Sequence, residues 1–204
     1  MKNNFMILAA LVAGIFLTNC KKDSTTPSSN SLAKLYTLNA PNSGSWRYFS
    51  FSKGDTVKIT GNPLESAGWD LAFQQYYIKT NSGKSGKGIG GAFNTLKTGT
   101  IEFDSLKIVP DSASLVIDDS TTFYVAGGST IDLSVNSILK NWYNYDNVTH
   151  ILTSKKYVYI VKTADGKFVK LMIDNYLYDS SKGSFFDLKY YYQADGTKKL
   201  SSLK

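Results

Sequence analysis

Residues 141–150 read NWYNYDNVTH and end on His150, the only histidine of the 204-residue chain. Imidazole is the commonest metal ligand and a frequent general base, so any chemistry that needs a histidine must use this one. A zinc site needs three or four nitrogen, sulfur or carboxylate ligands, and one imidazole does not meet that. A Ser-His-Asp triad would have to be built on His150, and no Gly-x-Ser-x-Gly elbow is present. The chain has a single cysteine, Cys20, far from His150. The segment TNSGKSGKGIGGAF, residues 80–93, contains Gly83-Lys84-Ser85, but a phosphate loop requires glycine where Ile78 stands. It reads instead as a crossing where backbones pack closely and φ is often positive. Catalysis is therefore not expected. One or two side chains suffice for axial ligation of a haem iron in an apolar, aromatic pocket, and His, Met, Cys and Tyr can all serve. His150, Met172 and several tyrosines are the candidates.

The elements that would carry these residues have a period of two. WRYFSFSKG (46–54), DTVKIT (55–60) and WDLAFQQYYIKT (69–80) alternate or run aromatic. So do TIEFDSLKIV, SLVID, TFYVAG, STIDLSVN, YVYIVKT, FVKLMIDNYLY and SFFDLKYYYQ. Turn cues separate later runs at Gly127-Gly128, Ala164-Asp165-Gly166, Ser181-Lys182-Gly183 and Ala194-Asp195-Gly196. No sustained i, i+3, i+4 apolar stripe appears. Strands that follow one another without intervening helices predict a single antiparallel all-β domain. Within it, Asp118-Asp119 reads as a turn and Asp70 as a residue inside an apolar strand. Met172 lies in the strand pattern VKLMIDNY, where a methionine ordinarily fills core.

The N-terminus predicts where the domain resides. MKNNFMILAALVAGIFLTNC has a basic start and a short apolar run, the pattern of a secretory signal peptide. Its end, Leu17-Thr18-Asn19-Cys20, looks like a bacterial lipobox that makes Cys20 the lipidated first residue of the mature protein. Met1 and Met6 leave with the signal, so Met172 is the sole mature methionine. Residues 1–19 are thus read as signal peptide, 20–31 as lipidated cysteine and flexible tether, and 32–204 as the β domain. A lipid anchor would hold that domain at a membrane without a spanning helix. Lys+Arg 23 against Asp+Glu 16 gives a net charge of +7, yet Arg47 is the only arginine and the lysines are scattered. Nucleic-acid sites favour Arg forks and basic clusters, so the charge reads as a solvated face and no nucleic-acid partner is expected.

Three strings carry a family resemblance. They are Trp46-x-Tyr48-Phe49-Ser50-Phe51-Ser52-Lys53-Gly54, then Trp69-Asp70 followed by Ser85-Gly86-Lys87-Gly88-x-Gly90-Gly91-Ala92, then Val161-Lys162-Thr163-Ala164-Asp165-Gly166-Lys167 with a strand ending Asn175-Tyr176. In this order, and with the lipoprotein signal, the chain resembles the HmuY family of haem-binding lipoproteins of Bacteroidota. The resemblance implies an all-β domain of the HmuY type and a haemophore role. Such a protein takes up haem at the outer membrane or cell surface and passes it to an outer-membrane receptor. The best-known member holds haem between two histidines, one in a hairpin corresponding to Val125–Ser129 and one near Asp146-Asn147. This chain has no histidine in the first hairpin, and His150 lies three or four residues beyond the second position. The resemblance therefore leaves a five-coordinate haem on His150, a His150–tyrosine pair, or a weaker second ligand at Met172. Trp142, Tyr143 and Tyr145 are the candidate pocket wall. They equally suit stacking on a sugar or membership of the core. A surface lipoprotein that has lost haem and binds another small hydrophobic ligand, a glycan, a peptide or a partner protein is the alternative.

Overall fold

The computed structural model describes residues 33–200; the signal peptide, Cys20, the tether and the proposed first domain residue Leu32 lie outside them. The chain forms β1 (Lys34–Ala40), β2 (Arg47–Ser50), β3 (Asp55–Val57), β4 (Leu71–Gln74), β5 (Tyr77–Thr80) and β6 (Gly91–Thr98). A short helix α1 (Gly99–Ser105) follows, then β7 (Asp119–Tyr124), β8 (Thr130–Val135), β9 (Tyr143–Tyr145) and β10 (Leu152–Ser154). The last strands are β11 (Tyr157–Lys162), β12 (Phe168–Asp179) and β13 (Gly183–Gln193). A five-stranded sheet has the order β1-β13-β12-β11-β6, and a four-stranded sheet the order β3-β2-β4-β5. Two further hairpins, β7–β8 and β9–β10, form two-stranded ladders of their own beside these sheets. Every pairing is antiparallel, as the alternation predicts.

Alternation also explains how the layers stack. On β11 Tyr159 and Val161 face one way, and Val158 and Ile160 the other. The first pair joins Leu171, Ile173, Phe186 and Leu188 against Phe49, Phe51, Leu71 and Phe73 of the four-stranded sheet. The second pair joins Met172 and Tyr191 against Phe103 of α1, Val109 and Leu200. The five-stranded sheet is thus covered on both faces, which is why β11 and β12 read as nearly continuous apolar runs. The hydroxyl of Tyr159 has no hydrogen-bond partner among the described residues, and burial raises its pKa.

Three local expectations are corrected. TIEFDSLKIV is helical at its start, because Gly99 takes φ +83 after β6 and the next turn buries Phe103 under the sheet. SLVID pairs only through an isolated bridge, Ala92 to Val116. Asp118 is not in a solvated turn: it is buried, and its carboxylate accepts from Thr80 N (2.9 Å), Thr80 Oγ1 (2.5 Å) and Asn136 Nδ2 (3.0 Å). Burial raises its pKa against those bonds. Asp70 is a second buried carboxylate, raised by burial, that accepts from the backbones of Phe51 and Ala164.

The glycine-rich segment packs as closely as expected. A Cβ on Gly88 would lie 2.6 Å from the Asn81 carbonyl oxygen, and one on Gly90 2.8 Å from it. The Asn81 side chain donates to Ser66 O and Trp69 O and accepts from Gly88 N, tying this crossing to the four-stranded sheet.

Candidate functional site

The two free hairpins flank the β4–β5 turn. The space between them is lined by Tyr76, Tyr77, Phe123, Val135, Lys140 and Tyr143. It is filled by those side chains. Tyr77 packs edge-on against Phe123 at 4.6 Å between ring centroids, and Tyr76 lies 4.3 Å from Tyr77 and 5.7 Å from Tyr143. The hydroxyls of Tyr76 and Tyr77 hydrogen-bond each other at 2.9 Å. Lys140 Nζ sits 4.6 Å over the Phe123 ring, a cation–π contact. Burial first, and then the Tyr76 hydroxyl, push the Tyr77 phenol up.

The open cleft lies on the other flank of β9–β10. It has a volume of about 650 Å³ and is walled by the β9–β10 loop, the β4–β5 turn and the end of β12. Small-molecule and cofactor sites span ~300–1,000 Å³. His150 lines it, together with Tyr145, Ile151, Tyr76 and the run Tyr176-Leu177-Tyr178. Apart from the histidine, no lining residue carries an ionisable acid or base stronger than a phenol. Val148, Ile151, Leu177 and Tyr178 are exposed at this end of the molecule.

The backbone that carries His150 is fixed. Asp146 Oδ1 accepts from Val148 N at 2.8 Å and Thr149 N at 2.9 Å, and Asp146 O accepts from His150 N at 2.8 Å. The amides of Thr149 and Val148 hold the Asp146 carboxyl below the usual carboxylate range. His150 then takes φ +58, in the left-handed region, where histidine is among the residues enriched. Its Nδ1 lies 2.5 Å from the Tyr145 hydroxyl. With Nδ1 engaged, Nε2 is the nitrogen left for a ligand, and the Tyr145 hydroxyl restrains the direction of the ring.

The structure brings His150 and Tyr145 together and separates the other candidates from them. Trp142 is a core residue: its ring packs on Tyr176 at 5.0 Å and Phe186 at 5.4 Å, and its Nε1 donates to Tyr76 O. It supports the cleft from behind and offers it no face. Tyr143 faces the filled crease rather than the cleft. Met172 is fully buried in the cluster under α1. Its strand neighbours Leu171 and Ile173 face the sandwich, so period two turns Met172 to the far side of the sheet. It cannot reach an iron bound at His150. Tyr176, Leu177 and Tyr178 escape a sequence reading because they are remote in sequence from His150. Three consecutive large apolar residues at a strand end were the available signal, since a strand cannot bury both faces there without a cover.

These side chains fit a haem in part. An imidazole with a committed Nδ1, several phenols and apolar walls are the required donor set. With no cation lining the cleft, haem carboxylates would remain in solvent. Among the described residues no group of three or more His, Cys, Asp or Glu could hold a bare metal ion.

Comparison with known proteins gives the family. Residues 42–192 match the model of the HmuY protein family. A search of curated proteins found no match. Among solved structures, the apo HmuY analogue of Tannerella forsythia is 19% identical, with TM-score 0.59, covering 80% of this chain and 96% of that one. Apo PinO from Porphyromonas gingivitis is 15% identical, with TM-score 0.60, covering 79% and 97%. A Bacteroides vulgatus protein provisionally described as HmuY-like and haem-binding is 23% identical, with TM-score 0.60, covering 81% and 93%. At these identities the likeness speaks for the fold.

Proposed function

Because the chain belongs to the HmuY family, we propose that it is a lipid-anchored protein of the outer membrane that binds haem at His150 for iron acquisition. The observation that carries this reading is the position of His150 on the open 650 Å³ cleft, with Nδ1 held by Tyr145. His150 Nε2 would be the nitrogen that holds the iron. Tyr145, bonded to Nδ1, would hold the ring in place, its hydroxyl accepting from Nδ1–H when Nε2 is the ligating nitrogen. Tyr176, Leu177 and Ile151, which line the cleft, would cover the apolar surface of the bound group and exclude water from it. Haem itself would supply the iron and a planar apolar surface; the protein performs no reaction on it. The open rim suits hand-over to a receptor, because a ligand that is only partly enclosed can be approached by a second protein. Cys20 supplies the anchor in this reading.

The filled crease favours a second reading. Packed aromatics close the space between the two hairpins, so the ligand class itself can differ: a glycan or peptide stacking on Tyr145 and Tyr178 would use the same cleft. Absorbance titration of the purified protein with ferric and ferrous haem separates the two. A saturable one-to-one Soret shift that His150→Ala abolishes is expected. A titration indistinguishable from that of an unrelated protein sinks the haem reading.

A further inference from the structure

We infer that Tyr178 is the second axial ligand, so that the cleft holds ferric haem between an imidazole and a phenolate. The inference rests on the haem reading and deepens it. The side chains that line the cleft and can ligate iron are His150 and four tyrosines, Tyr76, Tyr145, Tyr176 and Tyr178. Three of the four hydroxyls are already committed. Tyr145 holds His150 Nδ1 at 2.5 Å, Tyr76 is paired with Tyr77 at 2.9 Å, and Tyr176 donates to Ser184 Oγ at 3.0 Å. Tyr176 is also largely buried.

Tyr178 differs in each respect. It is 52% exposed, and among the described residues its hydroxyl has no hydrogen-bond partner. It follows Tyr176 by two positions on β12 and so projects from the same face one step nearer the rim. There it reaches the cleft from the β12 side, while His150 reaches it from the β9–β10 loop. Tyr178 and His150 thus offer donors to one cleft from two different walls. When Tyr178 ligates, the Oη–iron bond forms and the phenol proton leaves to solvent. A phenolate is a hard anion and favours ferric over ferrous iron. The pair therefore makes the protein selective for oxidised haem and weakens its hold on reduction.

The test is parallel titration of wild type, Tyr178→Phe and, as an exposed tyrosine away from the cleft, Tyr124→Phe with ferric and ferrous haem. Visible spectra and the mass of the loaded protein are read together. Wild type should show a phenolate-to-iron charge-transfer band in the ferric state. Tyr178→Phe should lose it and bind ferric haem at least ~10-fold more weakly, with ferrous affinity within about twofold. Tyr124→Phe should match wild type. Ferric affinity and spectrum unchanged in Tyr178→Phe would overturn the assignment. So would a wild type that lacks the band, or a complex of two chains per haem, in which a second His150 supplies the sixth ligand. Absence of any Soret shift in wild type would overturn the haem reading itself, a result distinct from all of these.

Discussion

Lys79 offers a quantitative test of the packing beneath the site. It lies on β5, and only 8% of it is exposed. Its Nζ sits 4.3 Å from the centroid of Trp46, 5.5 Å from Trp69 and 5.6 Å from Tyr48. No hydrogen bond to it occurs among the described residues. Burial lowers its pKa from 10.5 to about 8, with the charge of Asp118 pulling weakly upward. The sign follows from the protons bound. Below about pH 8 the ammonium is charged in both states, and the folded state bears the full cost of burying it. Between pH 8 and 10.5 the folded state releases the proton while the unfolded chain keeps it, so stability rises with pH. Across pH 7.5 to 9.5 that gain is about 2 kcal/mol for this one group. Lys79→Met has no such proton to release. Urea unfolding of both proteins at the two pH values should show the variant more stable at pH 7.5, with its advantage shrinking by about 2 kcal/mol at pH 9.5. Taking the difference between the proteins cancels every other titration, including Lys170, which burial also lowers to about 8. A difference that does not change with pH would refute the reasoning, because the three rings would then stabilise the cation as well as water does.

Three further outcomes are expected. Asp118→Ala leaves the Thr80 amide without an acceptor in a buried place and removes one of the two acceptors of Asn136 Nδ2, the other being Val116 O, and should cost ~3 kcal/mol or more in chemical denaturation. Asp118→Asn, which keeps one acceptor oxygen, should cost less. Met172→Leu should leave the haem titration unchanged and cost under ~1.5 kcal/mol, as expected of a core swap that conserves volume. Tyr145→Phe should weaken haem binding by about tenfold while leaving the axial set intact, because it frees the His150 ring without removing a ligand.

The fold was legible because alternation and turn residues act locally. The Ala164-Asp165-Gly166 cue falls between β11 and β12, and the Ser181-Lys182-Gly183 cue joins β12 to the first residue of β13. β1 went unread because KLYTLNA buries only its second half, Leu38 and Ala40, against β13, and half an alternation is a weak signal. The burial of Asp118 is hidden for a different reason. An Asp-Asp pair resembles a turn, and only the approach of Thr80 and Asn136 from distant segments makes a buried acceptor of it. The site shows the same limit. His150 and Tyr145 are five residues apart and could be read together, whereas Tyr178 reaches the cleft through the register of β12 with β13 and the shift between Ile173 and Asn175.

The filled crease and the open cleft have a common origin in the β4–β5 turn. Gln75 takes φ +49 there, and the backbone reverses so that Tyr76 borders both spaces. On one side its hydroxyl bonds Tyr77 and its ring meets Tyr143, closing the gap between the hairpins. On the other side its residue forms part of the cleft wall opposite His150. A ligand cannot occupy the crease without breaking the Tyr76–Tyr77 bond and the contact of Tyr77 with Phe123. It can enter the cleft with no such loss. The same aromatic that excludes a ligand from between the hairpins thus helps to wall the cleft that His150, with its Nδ1 already held, lines.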